Sequence, residues 1–93
     1  MIQGFSCKET EKIWNGRRSV KLPGDIQNIA LRKLRYLNEV KVLSDLRVPP
    51  NNHLEALKGN RKAQHSIRIN DQWRICFIWN KGMVEGVEIV DYH

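Results

Sequence analysis

Cysteine is scarce: Cys7 and Cys76 are the only two in 93 residues, they stand far apart, and no CxxC occurs. A disulfide-stapled secreted module of this size carries more, so both read as small hydrophobes in a reducing compartment. The three histidines, His53, His65 and His93, show no metal-ligand spacing with each other or with the cysteines, and neither a zinc site nor any other metal or cofactor is expected. Long apolar runs are missing as well. Nothing approaches the ~20 residues of a bilayer-spanning helix, and the segment Met1 to Cys7 lacks the apolar core of a signal peptide. The chain is therefore expected in the cytoplasm, with no membrane partner. Acids are in deficit, 10 against 16 Lys+Arg, for a formal charge of +6. That excess calls for an anionic partner.

What is present suits one globular domain, residues 1–93, with 41% hydrophobic and 28% charged residues. Ile2 to Ser6 is apolar enough for an edge strand, and Lys8 to Trp14 suits one or two helical turns. Asn15 to Gly24 holds Asn-Gly, Pro-Gly and three basic residues, and reads as a loop able to move. After it comes the clearest helix, with Asp25 as the expected N-cap. Ile26, Ile29, Ala30, Leu34, Leu37 and Val40 form its apolar stripe. Of its cations, Arg32, Lys33, Arg35 and Lys41, most read as a solvated face. Val48-Pro49-Pro50 ends helical structure.

The remainder predicts a β-meander: His65 to Asn70, Gln72 to Trp79 and Met83 to Val90, joined by Asn70-Asp71 and Asn80-Lys81-Gly82 turns. Together these elements predict an α+β fold, a small twisted antiparallel sheet with helices packed on one face. Side chains alternate along a strand. Ile67, Ile69, Trp73, Ile75, Phe77, Trp79, Val87 and Ile89 then share the helix-bearing face, and Arg68, Arg74, Cys76, Glu88, Val90 and Tyr92 the other.

Lys58, Arg61, Lys62, Arg68 and Arg74 concentrate cations against one acid, Asp71, and the chain ends Asp91-Tyr92-His93. Such groups suit RNA cleavage without metal. A base takes the proton of a ribose 2′-OH, an acid protonates the leaving 5′-oxygen, and cations stabilise the phosphorane.

Three runs, Leu54-Glu55-Ala56-Leu57-Lys58-Gly59-Asn60-Arg61, Ser66 to Phe77 and Val87 to His93, resemble HigB-type toxins, the plasmid maintenance killer branch of the RelE/ParE superfamily. The resemblance implies a RelE-like fold and a toxin of a bacterial type II toxin–antitoxin system. The implied activity is a ribosome-dependent mRNA endonuclease that inhibits translation. Its implied partners are the ribosome, mRNA and a helix-turn-helix antitoxin, with operator DNA reached only through the antitoxin complex. Asp91, Tyr92 and His93 match the family's catalytic ending, Arg74 its phosphate-stabilising arginine and Lys58 its cleft lysine. Arg68 lies in the matching strand, and Arg61 and Lys62 are expected to bind RNA. Where some members have histidine in Leu-His-x-Leu-Lys-Gly, this chain has Glu55, with His53 two residues earlier. Glu55 is expected to orient or assist, and His53 to contact RNA. His93 or Asp91 would act as base or orienting group, and Tyr92 as acid or stacking platform. Two other readings compete: a ParE-like toxin that inhibits DNA gyrase by binding alone, and a non-toxic RNA-binding module.

Overall fold

Pro23 sets the start of the long helix. A computed structural model, describing residues 1–61 and 63–91, runs this helix from Gly24 to Glu39 (α2), behind a shorter one at Lys8–Trp14 (α1). Pro23, not Asp25, occupies the cap position and no side chain caps it; Asp25 falls in the first turn, where its charge complements the helix dipole. Ile26, Ala30, Leu34 and Leu37 are buried along the expected stripe. Ile26, Leu34 and Leu37 each contribute on the order of 2 kcal/mol by leaving water. After α2 the chain makes short 3₁₀ turns at Leu43–Arg47 and Pro50–Asn52.

Among the described residues the sheet has four antiparallel strands in sequence order: β1 Glu55–Ala56, β2 Gln64–Arg68, β3 Trp73–Asn80 and β4 Met83–Asp91. The meander was expected with three strands. β1 is the addition, two residues long and too short to leave a periodic signal, and it carries Glu55. Ile67, Ile75, Phe77, Val84, Val87 and Ile89 pack from the sheet into the same core as α2.

Strict alternation fails on β4. Cys76 faces Glu88, yet Ile78 faces Glu85, so Phe77 opposes two residues, Gly86 and Val87. Gly86 has φ 57°, the left-handed backbone of a bulge that glycine adopts without a Cβ penalty. The extra residue re-phases the strand, and Val84 joins Val87 and Ile89 inside.

Ile2 and Phe5 form isolated parallel bridges to Val84 and Val87 rather than a regular strand. This segment covers the outer edge of β4: Ser6 N–H donates to the Val87 carbonyl and Val87 N–H to the Gly4 carbonyl. The next edge donor, Ile89 N–H, reaches the buried Thr10 Oγ1 at 2.9 Å. The Asn15 to Gly24 loop is anchored at its centre. Ser19 is buried, its N–H donates to Gln27 Oε1 and its hydroxyl to Glu9. That hydroxyl, followed by Lys12, holds the Glu9 carboxyl below its ordinary range.

Candidate functional site

Register builds the site on the sheet face away from α2. Glu55, Ser66, Cys76 and Glu88 lie in one row across all four strands. Arg74 belongs to the adjacent row, between Arg68 and Val90. Its side chain is 7% exposed. Burial of a guanidinium requires partners, and these are present. Nε donates to Ser66 Oγ at 2.8 Å, one terminal nitrogen donates to the His53 carbonyl, and the same nitrogen lies 3.2 Å from the Glu55 carboxylate. His53 presents that carbonyl from a left-handed backbone, φ 45°.

A second arginine–carboxylate pair lies across the face. Arg61, on the 3₁₀ turn Gly59–Arg61, donates to Glu88 at 2.8 Å and to Gln64 at 3.0 Å. The bond to Glu88 raises the Arg61 pKa further. Between the two pairs sits the buried thiol of Cys76, whose pKa burial pushes up. A raised thiol pKa leaves less of the thiolate needed for nucleophilic work. Cys76 is filler.

Glu55, Lys58 and Arg61 line a recess of about 340 Å³. Lys58 is exposed and enters none of the ion pairs among the described residues. The recess thus joins two cations to a carboxylate that already orients a buried arginine, an arrangement able to hold a phosphate and steer its neighbours.

Of the residues expected at the site, Arg74, Glu55, Lys58 and Arg61 come together. Asp91 ends β4 opposite Trp73, on the other alternation phase from Arg74, and accepts from Gln72 Nε2 at 3.1 Å. His53 contributes its carbonyl to Arg74, and its side chain is exposed. Arg68 does not join Arg74 although the two are cross-strand partners. It pairs with Asp71 and turns toward α2. Lys62, Tyr92 and His93 lie outside the described residues. Ser66 and Glu88 are site residues that the sequence does not mark as such. Alternation places both on Arg74's face, but no local signal pairs Ser66 with Arg74 or Glu88 with Arg61.

No helix among the described residues is long and apolar enough to cross a membrane. Residues 4–93 match the family described as HigB-like toxin, a RelE-like toxin of the type II toxin–antitoxin system HigB. Toxin HigB-1 of Vibrio cholerae is 42% identical over 93 residues, spanning 99% of this chain and 94% of that protein. Among solved structures, YafQ from E. coli aligns with a TM-score of 0.62 at 14% identity, covering 98% of this chain and 91% of the other. YoeB in a YoeB–YefM toxin–antitoxin complex from Staphylococcus aureus aligns at 0.59 and 17% identity, covering 100% and 95%. These two likenesses establish a RelE-like fold. The match along residues 4–93 and the identity to the Vibrio toxin go further: the chain belongs to the HigB-like family of RelE-like toxins of type II toxin–antitoxin systems.

Proposed function

We propose that the chain is a ribosome-dependent mRNA endonuclease acting in the cytoplasm, neutralised by a helix-turn-helix antitoxin. The carrying observation is Arg74: a buried guanidinium locked by Ser66 and His53, beside Glu55 and a recess rimmed by Lys58 and Arg61. A cation held this firmly is preorganised for charge that develops in a transition state. The YefM bound to the S. aureus neighbour supports a protein antitoxin, and the +6 charge suits a ribosomal RNA surface.

In this reading the ribose 2′-OH of mRNA loses its proton to His93, with Asp91 left to an orienting role from the other alternation phase, and its oxygen bonds to the adjacent phosphorus. The P–O5′ bond breaks, and the departing 5′-oxygen takes a proton from Tyr92 or His93. The products are a 2′,3′-cyclic phosphate and a 5′-hydroxyl. Arg74 and Lys58 stabilise the phosphorane, and Glu55 keeps Arg74 oriented. Since the nucleophile belongs to the substrate, the reaction is confined to RNA.

Mapping mRNA 5′ ends after induction without antitoxin tests this. Wild type should give discrete new 5′-hydroxyl ends, and His93→Ala should remove them. Growth arrest with intact mRNA and damaged DNA would instead favour gyrase inhibition.

A further inference from the structure

The cations on α2 do not all lie on a solvated face. Arg32, Lys33 and Tyr36 line a groove of about 570 Å³, closed on the other side by Asn52, Arg68 and Asn70. None of its lining residues among the described residues is acidic. Lys33 is half-buried and donates to Asn52 Oδ1 at 2.5 Å. Neither Arg32 nor Lys33 joins any ion pair among the described residues. Among the described residues Arg68 pairs with Asp71, whose side chain is 96% exposed, a contact weak enough to be exchanged.

We propose that this groove binds the sugar–phosphate backbone of the RNA strand next to the scissile phosphate, with Arg32, Lys33 and Arg68 each taking a phosphate oxygen. The RNA identity of the ligand rests on the endonuclease reading above. Three features support it. Burial, and then the neighbouring Arg32 and Arg68 charges, lower the Lys33 pKa, so these cations are held close together with the exposed Asp71 carboxylate on Arg68 as their acidic neighbour. A polyanion relieves that repulsion. The groove also borders the Arg74 site through its backbone: Arg68 is the cross-strand partner of Arg74, and Asn52 precedes His53, whose carbonyl holds Arg74. In this proposal a strand with one phosphate at Arg74 passes Arg68 and Asn52 to enter the groove. Finally, the Tyr36 hydroxyl donates to the Asp45 carbonyl at 2.9 Å, which fixes a half-exposed ring at the rim. A fixed aromatic face is a stacking platform for a base and favours nucleic acid over an acidic peptide.

The test uses the full chain and a single-stranded hexanucleotide methylated at every 2′-oxygen, which cannot be cleaved. Binding is read by fluorescence anisotropy across a salt series for wild type, Arg32→Gln and the Arg32→Gln/Lys33→Gln pair. Each lost phosphate contact should lower the slope of log affinity against log salt by about 0.7, and the pair should weaken binding by about tenfold. Arg32 is exposed, so its variant keeps the test readable if loss of the Lys33–Asn52 bond disturbs folding. Unchanged affinity and slope in both variants would overturn the groove. So would a hexaglutamate peptide whose binding depends on Arg32 while the oligonucleotide's does not, since that assigns the groove to a protein partner. The two readings fail separately. Ribosomal mRNA left intact by wild type, with oligonucleotide binding still dependent on Arg32, would sink the nuclease and keep the groove. Cleavage by wild type with binding indifferent to Arg32 and Lys33 would do the reverse.

Discussion

The Arg74 guanidinium lies 3.2 Å from the Glu55 carboxylate, one side chain 7% exposed and the other 43%. The asymmetry separates two effects. Arg74→Ala should cost about 2–3 kcal/mol, because Ser66 Oγ and the His53 carbonyl lose their partner inside the protein. Glu55→Gln should cost under about 1 kcal/mol, since a half-exposed pair gains little from its attraction. Urea titration of both variants measures the difference. Mapped cleavage in the same variants should fall about a hundredfold or more for Arg74→Ala, and less for Glu55→Gln. Equal loss of stability in the two would show that Glu55 is structural.

Thr10 closes the edge of β4 by accepting from Ile89 N–H. Thr10→Val keeps the shape and leaves a buried N–H without its acceptor, a loss of about 1–3 kcal/mol. The chemical-denaturation midpoint should fall, and amide hydrogen exchange at Ile89 should speed up more than at Ile75. Uniform acceleration along the sheet would refute a local edge role.

Gly86 holds the bulge. A Cβ there would sit 3.2 Å from Ser6 Oγ and 3.6 Å from the Ile78 side chain, on a backbone with φ 57°. Gly86→Ala should destabilise by about 1–2 kcal/mol, the penalty of placing a Cβ in left-handed backbone. Thermal melts compare it with Gly4→Ala, where the space around Cβ is open and the melting temperature should move far less.

The Cys76 thiol is buried and its pKa is raised, first by desolvation. A raised pKa means less thiolate at any given pH, so alkylation of native protein should stay slow at Cys76 well above neutral pH. Cys7 is partly exposed and should react first. Mass spectrometry after iodoacetamide treatment at rising pH reads both sites. Rapid native labelling of Cys76 near neutrality would contradict its burial.

Much of the fold was legible because it is written at short range. The stripe from Ile26 to Val40 repeats with the helical period, and Ile67, Ile75 and Phe77 alternate with the strand period, so each segment announces its own buried face. β1 was not legible, since two residues carry no period. Nor was the re-phasing of β4, since a glycine in a strand does not declare which way its backbone turns.

The site divides along the same line. By itself the sequence determined the charge excess, the cluster of cations from Lys58 to Arg74, the face that Arg74 occupies and the resemblance to HigB-type toxins. Tertiary structure alone decided which cation meets which acid: Arg74 with Glu55, 19 positions back, and Arg61 with Glu88, 27 positions on. It also parted Arg68 from Arg74 and joined it to Arg32 and Lys33 on α2. The physical reason is the range of the forces. Hydrophobic periodicity is decided by a residue and its near neighbours, whereas an ion pair depends on strand register and loop closure, which no local stretch of sequence contains.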